Sequence, residues 1–303
     1  MAVVVGVDVG GSGLRCRSVA DGVSGPSLSG AALHIGPAGI DVATLVESLV
    51  PLVPVGPDLL VWSMRGLLAL ADPVALAALI RERVGAREVW VCGDALAAMV
   101  GAVGSVRPGA VVAAGTGAIA FATDFDRIWR RVDGWGHILG DRGSAAWVGL
   151  QALEAALLAL DGVAPGGDAL LAAITEQLGH PESWPRMVMT RPDAVALLAG
   201  LAPVVTSLAA TDPAAGRICT QAGQELARSL ATAAQGIEGV CVSRTGGLFG
   251  ATSVREAFEA ESAARGLEVQ PPAGTGLDGA VLLAEHLAAG HELAGHTAYL
   301  RRG

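Results

Sequence analysis

The chain has 303 residues, 52% hydrophobic and 16% charged, which provides enough apolar sequence for two domains of ordinary size. Its formal net charge of -9 argues against nucleic-acid and anionic-membrane partners, because both attract basic surfaces. It contains no lysine and no asparagine, which excludes a Walker A loop, a pyridoxal Schiff base and lysine catalysis.

The cysteines are dispersed, and no pair has the spacing of metal ligands: Cys16, Cys92, Cys219 and Cys241. We therefore predict free thiols in a reducing compartment. The N-terminal residues lack a basic segment, and a carboxylate interrupts their apolar run, so no signal peptide is predicted. Charges, glycine or proline break every longer apolar run, and together these features predict a cytoplasmic protein.

The chain opens on an apolar β-branched run, residues 3–9, that contains one carboxylate, Asp8. A turn of Gly11, Ser12 and Gly13 follows, and residues 14–20 then alternate, so the pattern predicts a β-hairpin. Glycines in such a turn let backbone N–H groups approach an anion closely, and Asp8 lies where it would hold a hydrated Mg²⁺. An ordinary hairpin without a ligand is the alternative.

The next elements alternate between strand and helix. Residues 33–35 are a candidate third strand, and Asp41 is a candidate N-cap for a helix over 41–53. Residues 58–63 and 88–92 read as buried strands. An Asp-Pro pair begins a helix predicted over 72–84, because proline suits the first helical position.

Asp94 follows the strand over 88–92 and precedes an alanine-rich helix that runs to about Val103. A carboxylate between the C-terminal end of a strand and a helix N-terminus occupies the usual position for chemistry in an α/β sheet. We therefore treat Asp94 as a candidate catalytic carboxylate. The alternative is that it only caps the helix.

A second copy of the hairpin pattern covers residues 110–132. Gly115, Thr116 and Gly117 match the first turn in residue type and position. Two such hairpins indicate an internal duplication in which two lobes present their turns to one ligand. A nucleoside triphosphate is the simplest ligand for that arrangement.

The loop over 133–144 holds four glycines, two carboxylates, a histidine and an arginine within a dozen residues, which is unlike a solvated spacer. Ser144 is predicted to cap a helix over 145–160, and the helix N-terminus would then point at whatever the loop binds. The spacing of the larger apolar side chains predicts that this helix buries Trp147, Leu150, Leu153 and Leu157.

Residues 161–236 are predicted to be largely helical. A strand over 239–243 leads to a third glycine-rich turn, with Gly246 and Gly247, which precedes another helix. A short strand over 267–270 and a last helix to about Leu293 follow, and the tail over 296–303 is predicted to be a surface end.

In their order, these motifs resemble the sugar kinase and actin-like ATPase superfamily. Within it, they are most similar to the N-acetylglucosamine kinase group, which also contains benzoyl-CoA reductase-type activator ATPases. The motifs that carry the resemblance are residues 8–13, 93–95, 115–117, 134–144 and 246–247. Each motif is weak alone, but the ordered set is specific.

The resemblance implies an α/β fold of two ribonuclease H-like (actin-like ATPase) domains with a cleft between them. It places residues 1–112 and about 280–303 in an N-terminal lobe and residues 113–279 in a C-terminal lobe. A homodimer is expected on the same ground. The implied ligands are ATP, Mg²⁺ and a small sugar.

The resemblance also implies residue roles. Asp94 matches the catalytic base, and Asp141 with its loop matches the sugar site; Asp8, from its position in the first hairpin, is our candidate for holding Mg²⁺ through water. The phosphate and ATP positions are Gly11, Ser12, Gly13, Thr116, Gly117, Gly246 and Gly247, the last two beside the adenosine. The remaining sugar-site positions are His137, Arg65, Gly115 and Gly140.

Two positions depart from the family pattern. Gly93 stands where the family has asparagine, and Arg142 replaces the glutamate of the usual Gly-Asp-Glu-Gly-Ser loop. With His137 and the turn that contains Arg65, this variant loop resembles actinobacterial glucosamine kinases. That implies ATP-dependent phosphorylation of D-glucosamine, most readily on the 6-hydroxyl, with N-acetylglucosamine or glucose as alternative substrates.

Other functions fit less well or stay open. A Rossmann dehydrogenase needs a helix after the first glycine-rich turn, whereas residues 14–20 alternate as a strand does. An electron-transferring activator ATPase needs clustered cysteines for its iron–sulfur centre. A non-catalytic nucleotide sensor on the same fold stays open. So do plain surface roles for His137 and Arg65 and a simple ion pair for Arg142.

Overall fold

The computed structural model of the protein describes residues 2–10, 13–32, 35–36, 39–67 and 72–303. Two residues of the first predicted turn, Gly11 and Ser12, lie outside the described residues. Most of the candidate third strand over 33–35 does as well, and Ile35 belongs instead to a separate two-residue strand.

The strands of the described chain form two large sheets and one small one. In chain order they are β1 Val3–Gly10, β2 Gly13–Ala20, β3 Val23–Ser24, β4 Leu28–Ser29, β5 Ile35–Gly36, β6 Gly39–Ile40, β7 Leu59–Met64, β8 Glu88–Gly93, β9 Gly109–Ala114, β10 Ala118–Thr123, β11 Trp129–Asp133, β12 Cys241–Thr245, β13 Val269–Gln270 and β14 Leu300–Arg302.

The two large sheets share one plan. In the first, the order is β14-β8-β7-β1-β2-β3, with β4 also beside β2; in the second, it is β11-β10-β9-β12-β13. Each sheet is built on an antiparallel hairpin, β1–β2 or β9–β10, whose first strand pairs in parallel with a later strand, β7 or β12. This repeat confirms the predicted α/β fold with two related lobes.

The helices connect and cover these sheets. They are α1 Val42–Leu49, α2 Pro73–Val84, α3 Asp94–Val103, α4 Ala145–Leu160, α5 Asp168–Leu178, α6 Trp184–Thr190, α7 Ala194–Ala199, α8 Ala202–Leu208, α9 Pro213–Ala234, α10 Thr252–Ala264 and α11 Gly276–Ala288. The predicted caps are confirmed: Asp41, Asp72 and Ser144 accept backbone N–H groups at the starts of α1, α2 and α4.

Helix α4 is buried through smaller side chains than the sequence predicted. Trp147, Leu150 and Leu157 are only partly buried, whereas the buried residues are Ala146, Val148, Gly149, Ala152, Leu153 and Ala156. The cause is the close approach of α7, because a Cβ added at Gly149 would lie 1.9 Å from the carbonyl oxygen of Leu198. Only a small-residue face fits against a backbone that near.

Helix α11 packs against α3 and β1 of the first lobe, and glycines make this contact possible. A Cβ added at Gly101 of α3 would lie 1.8 Å from the carbonyl oxygen of Thr275, and one at Gly279 of α11 would lie 1.9 Å from that of Ala97. The last long helix therefore belongs with the first sheet. The predicted lobe border at residue 112 falls within β9, and the borders stay a prediction.

The tail was predicted to be a surface end, and this is wrong. Strand β14 extends the first sheet antiparallel to β8, with Leu300 opposite Cys92 and fully buried. The sequence signal was too short for a strand prediction, because only the neighbouring edge strand supplies its partners.

The apolar core extends across the junction of the lobes. Residues of α3 and α11 pack in one cluster with Val111 of β9 and Phe121 of β10, so the two sheets share a hydrophobic boundary. The cysteines carry free thiols, as predicted. Among the described residues, no single helix is long and apolar enough to cross a membrane, although α7–α8 and α9 pass that test together as a sharply bent pair.

Candidate functional site

The predicted site residues gather at the carboxyl ends of parallel strands in both sheets. In the first sheet, β1, β7 and β8 run parallel and end at Gly10, Met64 and Gly93. In the second sheet, β9 and β12 run parallel and end at Ala114 and Thr245, just before the second and third glycine-rich turns. These edges are where α/β proteins bind ligands.

Asp8 lies in a row of polar side chains that crosses the first sheet. The strand registers place Arg15, Asp8, Ser63 and Cys92 side by side. Asp8 is 6% exposed, and its Oδ2 atom accepts a hydrogen bond from Nη2 of Arg15 at 2.7 Å. The Ser63 hydroxyl donates to Oδ1 over 3.4 Å. One carboxylate oxygen is thus firmly paired and the other is held only weakly.

The first turn of α11 closes in on the same carboxylate. A Cβ added at Gly276 would lie 3.2 Å from Oδ1 of Asp8, so only a glycine brings the backbone this near without crowding. Burial raises the pKa of Asp8, although Arg15 and Ser63 act in the opposite direction. A second cation near the carboxylate would therefore be stabilising.

Asp94 is half-buried and begins α3 directly after β8. Its Oδ1 atom accepts the backbone N–H of Ala95 at 3.0 Å. Burial raises the pKa of Asp94; the Arg65 guanidinium lowers it, and the Asp8 carboxylate raises it further. Asp8, Asp94 and Arg65 are therefore close enough to interact electrostatically.

The second glycine-rich turn docks on the start of α4. The Gly115 carbonyl accepts the backbone N–H of Ala145 at 2.9 Å, and the Thr116 carbonyl accepts that of Ala146 at 3.1 Å. The Gly115 N–H donates to the Gly117 carbonyl at 2.9 Å, which closes the turn. The turn is held rigidly against the helix end, where the dipole favours negative charge.

Asp141 connects this turn to the 133–144 loop. A Cβ added at Gly117 would lie 2.6 Å from Oδ2 of Asp141, and Oδ1 accepts the backbone N–H of Gly136 at 3.1 Å. Asp141 is 7% exposed, and burial with the nearby Asp133 charge raises its pKa, although Arg65 acts to lower it. The Arg65 guanidinium, which follows β7, is therefore near enough to act on this loop carboxylate.

Asp133 holds the loop from the other side. Its two carboxylate oxygens accept the backbone N–H groups of Asp141 and Arg142, both at 2.8 Å. Asp133 and Asp141 have φ angles of 63° and 52°, in the left-handed region that non-glycine residues seldom occupy. Gly140 is packed against Asp133, because an added Cβ would lie 2.2 Å from Oδ1. Both carboxylates therefore organise the loop before they contact any ligand.

The tip of the loop is apolar and exposed, which sequence reasoning missed. Trp135, Ile138 and Leu139 are 66%, 79% and 77% exposed. The Arg131 guanidinium lies 4.0 Å from the centre of the Trp135 ring and fixes its plane. His137 is half-buried among them. The loop motif is defined by its glycines and carboxylates, and no sequence pattern marks these apolar side chains as exposed.

The third turn abuts the second. Gly246 has a φ angle of 107°, and an added Cβ would lie 2.2 Å from the carbonyl oxygen of Ala114, the last residue of β9. Gly247 then begins a short 3₁₀ helix that leads to α10. Gly13 of the first turn has a φ angle of 117° and lies against the carbonyl of Ala31. Among the described residues, the predicted turn glycines thus occupy positions that require glycine or lie at the two site edges.

The comparisons with known proteins give the family. Residues 68–284, more than half of the chain, match the model of the BadF/BadG/BcrA/BcrD ATPase family. The chain belongs to this family. The match covers Asp94, both turns of the second lobe and the loop between them, and it agrees with the sequence resemblance.

Individual relatives differ in how much of their sequence they share with this chain. An N-acetylmuramic acid/N-acetylglucosamine kinase of Clostridium acetobutylicum is 38% identical over 74 residues, and the match spans only 24% of either chain. The structure of a candidate N-acetylglucosamine kinase from Chromobacterium violaceum is 26% identical, covers 94% of this chain and 99% of its own, and superposes with a TM-score of 0.73.

More distant structures share the fold. A glucokinase of the ROK family from Streptomyces griseus, solved with glucose and AMPPNP, is 17% identical, with a TM-score of 0.56 over 94% of this chain and 100% of its own. At this identity the likeness concerns the two-lobed architecture alone. It confirms the fold class predicted from the sequence.

A magnesium ion fits the first-lobe carboxylates of this protein. Among the described residues, no three or more His, Cys, Asp or Glu side chains are grouped to hold a metal ion. Mg²⁺, however, is usually held by one or two carboxylates, its own waters and substrate phosphates. Asp8 is such a carboxylate, and the repulsion between Asp8 and Asp94 is what a divalent cation relieves. The residues fit an ion that arrives with the nucleotide.

Sequence reasoning also missed Arg15 and a cavity in the second lobe. Arg15 would be recognised from its position opposite Asp8 in the hairpin. The cavity, of about 860 Å³, lies between α9 and α10, and no sequence motif marks it. Its polar lining residues are Arg217, Thr220, Gln221, Gln224, Ser253 and Glu256.

Proposed function

We propose that the protein is an ATP-dependent sugar kinase that transfers the γ-phosphoryl group of ATP to a sugar hydroxyl. The observation that carries this proposal is the position of Asp94. It lies at the carboxyl end of β8, close to Asp8. The Arg65 guanidinium acts on both Asp94 and Asp141. A general base, a cation-binding carboxylate and a sugar-site carboxylate are the groups that such a reaction needs.

In this mechanism, Asp94 takes the proton from the acceptor hydroxyl while the oxygen of that hydroxyl bonds to the γ-phosphorus. The bond between that phosphorus and the β–γ bridging oxygen breaks, and ADP leaves. The raised pKa of Asp94 makes it a stronger base than an exposed aspartate, provided that it is ionised at the working pH. Bound Mg²⁺ supplies charge neutralisation to the phosphates.

Without lysine, other groups of the chain must offset the phosphate charge. The backbone N–H groups of the glycine-rich turns are the first candidates, and Arg15 is the second. The Arg15 side chain is 42% exposed and lies next to Asp8, so it can reach a phosphate bound at the first turn. The cavity that Arg217 and Ser253 line is our candidate for the adenosine, and Gly246 and Gly247 precede the helix that carries Ser253.

For the acceptor we propose an amino sugar, with D-glucosamine as the first candidate and its 6-hydroxyl as the phosphorylated position. A 2-ammonium group loses its hydration on binding, and Asp133, Asp141 and the backbone carbonyls of the loop are the acceptors that could replace water. Arg142 and Gly93 depart from the pattern of the N-acetylglucosamine kinase group, which supports a sugar other than N-acetylglucosamine. Glucose, which lacks the amine, should be a weaker substrate.

N-acetylglucosamine is the second candidate, and a specific observation favours it. The exposed Trp135, Ile138 and Leu139 could provide the apolar surface that an acetyl methyl group requires. The carboxylates of the loop already accept backbone N–H groups, which leaves fewer acceptors for an ammonium. The named relatives from Clostridium acetobutylicum and Chromobacterium violaceum also point to N-acetylated sugars.

The test is a coupled ADP-release assay with Mg²⁺–ATP over glucosamine, N-acetylglucosamine and glucose, with Asp94→Asn as the inactive control. We expect sugar-dependent ADP release that Asp94→Asn abolishes, with the highest kcat/KM for glucosamine. A higher kcat/KM for N-acetylglucosamine would select the second candidate. ATP binding without sugar-dependent ADP release for any acceptor would instead support a nucleotide sensor. Sedimentation of the same sample tests the expected homodimer, and fractionation of cells tests the cytoplasmic location.

A further inference from the structure

We propose that Tyr299 is a positioning residue of the kinase, acting through the segment 296–302, which we name the clasp. The clasp joins the strand that ends directly before Asp94 in one lobe to the strand that leads into the 133–144 loop in the other. Its kinetic consequence rests on the function proposed above, whereas its structural consequence can be measured without any substrate.

The backbone of the clasp is bound to the first sheet. Leu300–Arg302 pairs with β8, and the backbone N–H of Gly93 donates to the Tyr299 carbonyl at 3.2 Å. Gly93 is the residue directly before Asp94. The clasp therefore fixes the end of the strand from which the proposed base projects.

The rings of the clasp are bound to the second sheet. The Tyr299 ring meets the Phe121 ring edge to face, with centroids 4.9 Å apart, and lies nearly parallel to the Trp129 ring at 6.3 Å. The His296 ring stacks on both Trp129 and Tyr299, at 5.2 Å and 4.9 Å. Phe121 belongs to β10, and Trp129 begins β11, which ends at Asp133.

Hydrogen bonds within the clasp hold its backbone in one conformation. The His296 N–H donates to the Leu300 carbonyl at 2.7 Å, and the Leu300 N–H donates to the His296 carbonyl at 3.0 Å. Nδ1 of His296 accepts the backbone N–H of Ala298 at 3.0 Å. A change in the angle between the lobes must therefore move the rings across Trp129 and Phe121.

The consequence is a preference for one lobe arrangement. An aromatic pair contributes enough beyond its buried area to shift an equilibrium between two arrangements by about 2- to 12-fold. Without the Tyr299 ring, β8 and β11 would fluctuate more independently. Asp94 and the loop would then be in their productive relation for a smaller fraction of the time.

The experiment uses the full chain and three variants. Tyr299→Leu removes the ring and leaves an apolar side chain. Tyr299→Phe keeps the ring and removes only the hydroxyl. Phe258→Leu is the matched control, because Phe258 meets Phe249 edge to face at the same 4.9 Å, but within the second lobe. The readouts are hydrogen exchange of β8 and β11 in the ligand-free protein, and the number of sugar molecules phosphorylated per ATP consumed.

For Tyr299→Leu, we expect exchange at Gly93 and in β11 to accelerate by about 2- to 12-fold, in line with the loss of a ring pair. Phosphorylation of glucosamine per ATP should fall, because in a larger share of turnovers water takes the γ-phosphoryl group and ADP and inorganic phosphate are released, with the KM for ATP unchanged. Tyr299→Phe should match the parent in both readouts. Phe258→Leu should lower the melting temperature without either change.

Two results would overturn the positioning role of Tyr299. One is exchange in β8 and β11 that stays at the parent rate in Tyr299→Leu. The other is a phosphorylation ratio that falls equally in Phe258→Leu, which would mean that general destabilisation is the cause. If the parent phosphorylates no sugar, the proposed kinase function fails, and the exchange measurement still decides whether the clasp joins the lobes.

Discussion

The two hairpins of this protein have the same backbone plan and different side chains. In the first, β1 and β2 bring Asp8 opposite Arg15, and the ion pair is 2.7 Å long. In the second, Val112 stands three residues before Gly115, as Asp8 stands three residues before Gly11, and it is fully buried in the apolar core. The carboxylate next to the second turn is Asp141, which comes from a loop instead of the hairpin.

The difference indicates a division of work between two copies of one fold. The first lobe holds its charge at the sheet: Asp8 lies within β1, and Asp94 directly follows β8, which is separated from β1 by β7. The second lobe presents a neutral turn on a helix N-terminus and places its charge on a glycine-rich loop. We infer that the first lobe carries the cation and the base, and that the second lobe contributes its turn to the phosphate site and its loop to the acceptor site.

The largest expected effect separates the carboxylates of the two lobes. Asp94→Asn should lower kcat by about 10²–10⁴-fold with ATP binding unchanged, because the acceptor hydroxyl loses its base. Asp141→Asn should instead raise the KM for the sugar and lower the melting temperature, since its oxygens hold the loop. Steady-state kinetics and nucleotide titration of both variants provide the measurement. Equal losses of kcat in the two variants would contradict the division.

A second change would give the second hairpin the charge of the first. Val112→Asp puts a carboxylate into a fully buried position that lacks an opposing arginine, and an uncompensated buried charge costs about 3–5 kcal/mol. We expect the free energy of unfolding in urea to fall by that order. Val112→Thr, which adds only a hydroxyl, should cost less. A Val112→Asp protein as stable as the parent would mean that the second hairpin accommodates a carboxylate at this position, as the first hairpin does.

Asp8→Asn should weaken cation binding, and its effect should be smaller than the effects of the Asp94 and Val112 variants. Loss of a ligand that acts through water is expected to raise the Mg²⁺ concentration for half-maximal activity by about 10–100-fold. The pKa of Asp8 is raised in the folded state, so ionisation of this group costs stability above its unfolded pKa, and that cost disappears as pH falls.

The stability of this variant therefore provides a check by pH. Asp8→Asn should melt higher than the parent at neutral pH, and the difference should shrink as pH approaches the ordinary aspartate range, where Asp8 is protonated in both states. Thermal melts across pH, without nucleotide, measure this. A variant that melts lower than the parent at neutral pH would show that the ion pair with Arg15 outweighs the cost of burial.

The smallest expected effect concerns the second turn itself. Gly117→Ala puts a Cβ 2.6 Å from Oδ2 of Asp141, and such overpacking typically costs about 1–3 kcal/mol. Gly115→Ala is the matched variant, because nothing lies within 4 Å of its added Cβ. Chemical denaturation should show a loss only for Gly117→Ala. Equal stability of the two variants would mean that Asp141 moves away at little cost.

Local sequence rules were sufficient for most elements. Asp41, Asp72 and Ser144 were recognisable as N-caps because a short polar side chain before a helical pattern satisfies free N–H groups. The two hairpins were predictable from alternation around a glycine-rich turn. The positions of Asp8 and Asp94 at strand ends were predictable too, since they depend on neighbours in the chain. Their catalytic and metal-binding roles stay predictions.

Other features depended on partners that are distant in sequence. Large apolar residues were expected to be buried in α4, but the backbone of α7 at Leu198 selects its small-residue face. Arg15 gained its importance only when the hairpin register placed it against Asp8. The loop carboxylates became backbone acceptors only when the 133–144 loop folded back on itself.

Composition, strand and helix periodicity, caps and the ordered glycine motifs were therefore readable in the chain, because each depends on contacts within a few residues. The tail over 296–303 was not, since Leu300 and Tyr299 are buried or stacked only by β8, β10 and β11, whose contacting residues lie between 170 and 208 positions away in the sequence. A pattern of side chains shows which face is apolar, but only the assembled sheets decide what covers that face and which carboxylates face each other across the lobes.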